Sequence, residues 1–392
     1  VLAGFGNDSV WLIVSAFFLA GTFIRTGLGR RIAYLFMAAF GQRTLGLSYS
    51  LATTDLVLAP FIPSHTARSG GAVFPILKSV ARTFVSGEEA TVRTAGFLTV
   101  VAYQCSIVIS GMFLTSMAAN PLIAQFAAQE GVQLTWRLWA LAAVVPGLAS
   151  LILVPLIVYA VYPPAIRHTP EARTLARHEL AALGPMSRQE ITLCVVFAGL
   201  LVTWALGPTL GIESTTAVLA AIAILLLSGV LLWDDVAREH EAWTTFIWFA
   251  ALVMMATQLG RLGVTQWFAG SISSAVGDVN WVIGFGVLSL AYFYSHYLFA
   301  SNTAHVSAMY APFLVIAIAI GTPPALAALV LAFFSNIFAG LTHYGAGAAP
   351  VFFGANYVAL GTWWRIGALL SVVNIVIWVF VGGIWWKVLG LW

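Results

Sequence analysis

Charge is what this sequence has least of. Asp, Glu, Lys and Arg make up 8% of its 392 residues, against roughly 25% in an ordinary soluble domain. A soluble fold with a buried core is thereby excluded. Cysteine is nearly absent: Cys105 and Cys194 both stand in apolar runs, which rules out a disulfide framework or a cysteine-rich metal site and reads as two reduced core thiols. The 17 basic residues are scattered rather than clustered, so no nucleic-acid surface is present. No basic segment with a cleavage pattern precedes the first apolar run, so no signal peptide is read; the chain is expected to begin inside a longer protein. What is abundant is hydrophobic: 61% of residues, with 15 tryptophans and 35 glycines and a mean hydropathy of +0.96. That is the composition of a polytopic membrane protein, in which Trp gathers at the interfaces and Gly permits close helix contact.

Taken in order, Phe5 to Ile24 is long enough to span. Ile32 to Phe40 is too short, is flanked by Arg30, Arg31 and Arg43, and is read as lying along the surface. Leu45–Ile62 and Ala72–Val85 flank a polar knot at 64–66. After a loop at Glu88–Arg93, Thr94–Thr115 is helical, breaks at Ser116–Pro121 and resumes at Leu122–Ala128. Trp136–Tyr162 spans, and Arg167–Glu190 is expected to be a solvated linker helix. Ile191–Leu206 and Thr215–Trp233 read as spans joined around Gly207-Pro208, followed by a charged loop at Asp234–Glu241. Trp243–Gln258 spans and Val264–Val276 is a second in-plane helix. Trp281–Phe299 and Ala304–Ile320 flank a second knot; Pro323–Leu341 is helical, breaks at 342–347 and resumes at Pro350; Trp363–Leu389 is a final tilted span.

The two knots, around Ser64-His65-Thr66 and Ser301-Asn302-Thr303, each lie between apolar arms too short to cross separately. Such arms read as hairpins that enter and leave by one side, which is tolerated only under cover of protein or a wet cavity. The elements recur in the same order in both halves: an arginine-ended span, an in-plane helix, a hairpin and an interrupted helix. If the Arg167–Glu190 segment is cytoplasmic, most arginines fall on that side, and only Arg137, Arg261, Arg365 and Lys387 fall on the other. The hairpins then enter from opposite faces. The fold class expected is an all-α polytopic membrane protein with inverted repeats, two opposed re-entrant helical hairpins and two discontinuous helices.

Helix ends brought to mid-membrane offer amides to anions and carbonyls to cations. The arrangement points to one central site for a small anion, with Ser64, His65, Thr66, Thr115, Asn120, Ser301, Asn302, Thr303 and Thr342 as candidate ligands. Arg68 has two candidate partners, the substrate or Asp55. His65, His296, His305 and His343 lack Cys, Asp or Glu at ligand spacing, so no metal centre is read. No lining of repeated charge suggests a channel. An intramembrane enzyme would need a nucleophile and base, and Ser64 beside His65 is a poor pair because adjacent residues in a tight turn rarely align.

The motifs Ser64-His65-Thr66-Ala67-Arg68, Ala118-Ala119-Asn120-Pro121, Ser301-Asn302-Thr303-Ala304 and Leu341-Thr342-His343-Tyr344-Gly345 resemble those of the divalent anion–sodium symporter family of dicarboxylate carriers. The resemblance is strongest to its bacterial and plastid-like 2-oxoglutarate/malate translocators and extends to the citrate/succinate exchangers. It implies a homodimer in a bacterial cytoplasmic (inner) membrane whose transport domain moves like an elevator against a scaffold. On that pattern residues 1–43 and 191–280 are scaffold, 44–165 and 281–392 transport domain, and 166–190 a cytoplasmic linker, the first spans of the family being absent here. In sodium-coupled members the cation ligands would correspond to Ser64, Asn302, Thr303 and Gly345. One departure is His65, where the family pattern has asparagine. Together with Arg68, it favours sodium-independent exchange of C4–C5 dicarboxylates such as 2-oxoglutarate, malate and succinate, without a cofactor. Sodium-coupled symport of a dicarboxylate or citrate is the alternative.

Overall fold

A computed structural model of the chain describes residues 2–84, 87–264, 267, 280–299 and 301–392. Their regular structure is helical throughout, apart from a single bridge between Arg43 and His168. Among the described residues, 7 helices are long and apolar enough to cross a membrane. The chain is thus an all-α, multi-pass membrane protein.

Helix α1 (Asp8–Thr26) is capped by the Asn7 side chain, which accepts from the Ser9 amide at 3.0 Å. It ends at Gly27, whose φ of 75° lies in the left-handed region that a side chain would disfavour. The chain turns there into α2 (Leu28–Phe40), which at 13 residues is too short to span. Beyond it comes α3 (Thr44–Leu58). The next helix, α4, begins earlier than the arm expected at Ala72. It is wound as a π-helix over Thr66–Val73 and as an α-helix over Phe74–Ala81, because the Ser64 hydroxyl caps its first turn and the glycines at 70 and 71 tolerate the wider coil.

Helix α5 (Glu88–Met112) is the axle of the molecule. Its first turns occupy the stretch expected to be a loop, since Glu88 and Glu89 suit the positive end of a helix. Residues 94–112 are buried on every face, the mark of a helix surrounded by protein. It packs against α3, α4 and α7 (Trp136–Val161) and, from the second half of the chain, against α15 (Pro324–Ile337). After irregular residues 113–119, α6 (Asn120–Gln129) resumes the interrupted helix.

The segment expected to be a solvated linker helix is helical and mostly exposed, and it is also strapped to the body. Helix α8 (Pro170–Leu183) lays Ala172 and Ala176 on α2, small residues one turn apart that allow close approach. The Thr169 hydroxyl donates to the Gly41 carbonyl, and Arg31 reaches Glu190 at 2.6 Å and the Gly184 carbonyl at 2.9 Å. Helix α9 (Arg188–Leu210) runs through Gly207 and turns at Gly211, with φ 66°. The break expected at Gly207-Pro208 is absent because proline is placed only one turn from the helix end. Helices α10 (Ser214–Leu227), α11 (Trp233–Arg238) and α12 (His240–Arg261) follow; α11 converts the expected charged loop into a short helix led by two aspartates. Cys194 is exposed on α9 rather than a core thiol; Cys105 is buried. The second in-plane helix expected at Val264–Val276 falls largely outside the described residues.

In the second half, α13 (Trp281–Ser295) is followed by a 3-10 turn at His296–Leu298. Helix α14 runs over 302–319, again with a π segment, Val306–Tyr310, just after its start. Helix α15 stops after a 3-10 turn at Phe338–Gly340, α16 (Ala349–Phe353) resumes beyond an irregular stretch, and α17 runs unbroken over 360–388.

Candidate functional site

The site is best built from its interruptions, because a broken helix leaves backbone groups that something must satisfy. At the first, between α5 and α6, Asn120 Nδ2 donates to the Ser110 and Phe113 carbonyls at 2.9 and 3.0 Å. Ser116 Oγ reaches the same two oxygens at 2.6 and 2.7 Å. Thr115 donates its hydroxyl to the Pro60 carbonyl at 2.6 Å and accepts from Trp136 Nε1 at 3.2 Å. Thr115 is therefore a fully buried joint between the first turn and the break, and Asn120 a fully buried brace within the break itself.

The first turn itself carries Ser64, half-buried, whose hydroxyl accepts from the Ala67 amide at 3.2 Å. His65 Nε2 lies 2.8 Å from Ser106 Oγ. That hydroxyl already donates to the Tyr103 carbonyl at 2.7 Å, so the imidazole is the donor, protonated at Nε2. Thr66 is exposed at the tip and faces the second break: a Cβ at Gly347 would lie 2.5 Å from its hydroxyl. Arg68 is wholly buried, with Nε 2.8 Å from Asp55 Oδ1, Nη1 on the Ile62 and Ser116 carbonyls at 3.0 and 2.6 Å, and Nη2 on Ser110 Oγ at 3.0 Å. Of its two candidate partners the structure supplies Asp55, which Ser69 also contacts.

The second turn repeats the pattern with fewer partners. Ser301 caps α14 by accepting from Ala304 N at 3.5 Å. Asn302 Nδ2 reaches Met117 Sδ of the first break at 3.5 Å, and its Oδ1 is buried with no partner among the described residues. Thr303 is half-buried, with its carbonyl taken by Ser307. At the second break Thr342 is buried and its hydroxyl is also without a partner, while the Gly345 carbonyl accepts from His296 Nε2 at 2.6 Å.

These contacts wire the parts together. The first turn touches both breaks, through Arg68 to Ser116 and Thr66 to Gly347; the second touches both, through Asn302 to Met117 and His296 to Gly345. The breaks are joined by Asn336 Nδ2 on Asn120 Oδ1 at 3.0 Å and by Gln104 Nε2 on the Gly340 carbonyl at 2.6 Å. Asn336, Gln104, Ser110 and Ser116 were not among the residues singled out from sequence; the available signal was an amide or hydroxyl inside an apolar helix, which is costly unless it has a job. A cavity of about 280 Å³ has Ser64 among its lining residues, with Arg30, Tyr34, Glu239 and Glu241 also in its walls. Burial, then the nearby Glu241 carboxylate, holds the Glu239 carboxyl above its ordinary range. Among the described residues no group of three or more His, Cys, Asp or Glu is placed to hold a metal ion.

The whole of residues 1–392 matches the family model described as the sodium:sulfate symporter transmembrane region. YflS of Bacillus subtilis (strain 168) is 53% identical over 394 residues, covering 100% of this chain and 82% of that protein. Dicarboxylate transporter 1, chloroplastic, of Spinacia oleracea is 48% identical over 395 residues, 100% of this chain and 69% of that protein. Inner membrane protein YbhI of Escherichia coli (strain K12) is 37% identical over 396 residues, 100% of this chain and 83% of that protein. The crystal structure of the Alcanivorax borkumensis YdaH transporter shares the fold, with a TM-score of 0.62 at 14% identity, over 97% of this chain and 85% of that one.

Proposed function

Because this chain belongs to the sodium:sulfate symporter transmembrane family, and is a transporter rather than an enzyme, we propose that it exchanges C4–C5 dicarboxylates across a membrane without sodium. The observation that carries this reading is the cross-wiring of two polar turns and two helix breaks into one node. Ser64, Thr66, Ser301, Asn302 and Thr303 are compact donors at the starts of α4 and α14, where amides and partial positive charge favour carboxylates. In this reading the dianion sits between the tips, with Thr342 beside it. Thr115, Asn120 and Arg68 hold the tips in place rather than touch the substrate, and His65 sets the width of the first turn.

The two turns are then re-entrant hairpins entering from opposite faces, and the halves are inverted repeats, for which the matched π segments after Ser64 and Ser301 are support. Residues 44–165 and 281–392 would move as one body, like an elevator, against a scaffold of 1–43 and 191–280, with 166–190 as the strap between them. A homodimer would anchor that scaffold. The dicarboxylate in the names of the chloroplast relatives, and malate in that of YflS, support the substrate class; the name of YbhI supports the bacterial inner membrane.

Uptake of labelled malate into proteoliposomes preloaded with 2-oxoglutarate, or left empty, in sodium-free buffer tests the reading. Rapid uptake only into preloaded vesicles is expected; equal uptake into empty vesicles, or uptake only under a sodium gradient, overturns exchange. Sodium symport is the second reading, favoured by the buried acceptor oxygens of Asn302 and Thr342 that have no donor among the described residues. A counterflow panel of malate, succinate, 2-oxoglutarate, tartrate and citrate, with and without sodium, separates the two and ranks the substrates.

A further inference from the structure

We infer that a slot between α13, α15 and α17 holds one anionic membrane phospholipid, its acyl chain lying between the three helices and its phosphate meeting Lys387. The site lies apart from the two tips, and it stands whether or not the exchange reading is right.

The slot is a cavity of about 430 Å³ walled by residues 281–290 of α13, 326–334 of α15 and 375–386 of α17, with Trp392 at one end. At ~1.5 Å per residue these stretches run about 12–16 Å, close to the ~15 Å that one leaflet contributes to the hydrocarbon core. That length suits a single acyl chain. Gly286 and Gly383 keep the slot wide, since a side-chain carbon at either would meet nothing within 4 Å. It opens sideways: next to its lining residues stand Ile283 and Val287 on α13, and Phe380 and Ile384 on α17, all exposed. Apolar residues exposed on both rims of a multi-pass protein face lipid rather than water.

Polar chemistry in the walls is confined to one hydroxyl and three indoles. The N–H groups of Trp386 and Trp392 are spent on the Ala142 and Gly383 carbonyls at 2.8 and 2.9 Å. Ser289 is 5% exposed, and its hydroxyl has no partner among the described residues. A buried hydroxyl so placed is costly unless the occupant brings an acceptor, and a phospholipid brings the ester carbonyl that heads each chain. Charge sits at the Trp392 end. Lys387 Nζ lies 5.0 Å from the centre of the Trp392 ring and makes no ion pair among the described residues. Tryptophan and lysine together mark the headgroup level, where a cation favours an anionic lipid. Elsewhere α13 and α15 are joined directly, Tyr292 Oη standing 2.7 Å from Ser335 Oγ. A chain lodged beside that joint braces the helices that lead to the second tip and the second break.

The test places the full chain in phosphatidylcholine vesicles with a trace of phosphatidylglycerol that carries a photoactivatable group midway along one acyl chain. Labelled residues are mapped by peptide mass spectrometry after irradiation. Labelling concentrated on 281–290, 326–334 and 375–386 is expected, roughly fivefold stronger than from a phosphatidylcholine probe with the same chain, the preference one lysine gives at a charged surface. Lys387→Gln, at an exposed position, should keep the labelling and abolish the preference. Gly286→Leu should fill the slot and lower its labelling to the level found at Val195 and Val202, which are exposed on α9. The inference fails if the parent's slot is labelled no more than Val195 and Val202, which means a bulk lipid coat only. It fails equally if the slot is protected because another part of the chain or a second copy covers it, if Gly286→Leu is labelled like the parent, or if Lys387→Gln keeps the headgroup preference. Malate flux enters none of these outcomes, so failure here leaves the exchange reading standing, and failure of exchange leaves the lipid site standing.

Discussion

Among the described residues, the hydrogen bond from Asn336 to Asn120 is the one side-chain pair that joins the two interrupted helices, and its removal tests whether they act as a unit. Asn120→Ala deletes two bonds to carbonyls and the one from Asn336. Ser116 Oγ also reaches both carbonyls, so neither is left bare. At about 1 kcal/mol net per bond the loss is about 3 kcal/mol. Asn336→Ala deletes the shared bond and a second one to the Ala332 carbonyl, which keeps its helical partner; it also removes the unpaired Oδ1 of Asn336 itself. Its expected cost is about 1–2 kcal/mol. The double variant should be about 1 kcal/mol less destabilised than the sum, because the shared bond is lost only once. Thermal-shift midpoints in detergent measure the stability terms, and malate KM in the same preparations reports the site. Equal effects of the two single variants, or a sum additive within about 0.5 kcal/mol, would refute the bridge.

Further outcomes follow from other contacts. Arg31→Met strands the Glu190 carboxylate, 6% exposed, and should cost about 3–5 kcal/mol, whereas Arg31→Met with Glu190→Leu should return close to the parent; chemical-denaturation midpoints compare them. Thr115→Ser keeps the donor to Pro60 and should transport normally, while Thr115→Val loses it and should lower exchange rate severalfold by about 1 kcal/mol, read as initial flux. Glu239, held neutral to higher pH than an exposed glutamate, adds charge and destabilisation above its raised pKa and sheds both as pH falls. Malate influx from the face on which the cavity lined by Glu239 opens should therefore rise as pH falls through that raised pKa, and Glu239→Gln should be flat across the same range; an unchanged pH profile would remove Glu239 from the path.

Features set by a few neighbouring residues are legible in the sequence, and those made by distant partners are not. Both turns and both breaks were legible, because Ser, Asn, Gly and Pro inside apolar stretches are local violations of helical pattern. Helix ends were less so: the stretch at Glu88–Arg93 has the composition of a loop, yet its acidic pair starts a helix, and Gly207-Pro208 sits too near a helix end to break it. The strap's helix and its largely solvated surface were legible, but Ala172 and Ala176 become a buried face only once α2 supplies the opposite wall. Cys194 looked buried because an apolar run does not reveal which face of a span points outward. Arg68 was rightly marked as a buried cation needing a partner, but the choice of Asp55 over substrate required the fold, as did the Asn336–Asn120 and Gln104–Gly340 bonds, whose partners are 216 and 236 positions apart in sequence.

The over-wide coil at Thr66–Val73 has a mechanical corollary. An α-helix advances about 100° per residue, so a one-residue deletion inside this coil would let it relax to ordinary winding and swing every side chain on one flank around the axis by about that angle. Phe74–Ala81, anchored by its packing, would stay. Arg68 and Ser69 would leave Asp55, and the first tip would face the wrong neighbours although Ser64 and His65 had not been altered. Spacing between Ser64 and the following helix thus fixes the geometry of the first turn as firmly as the serine's own cap does.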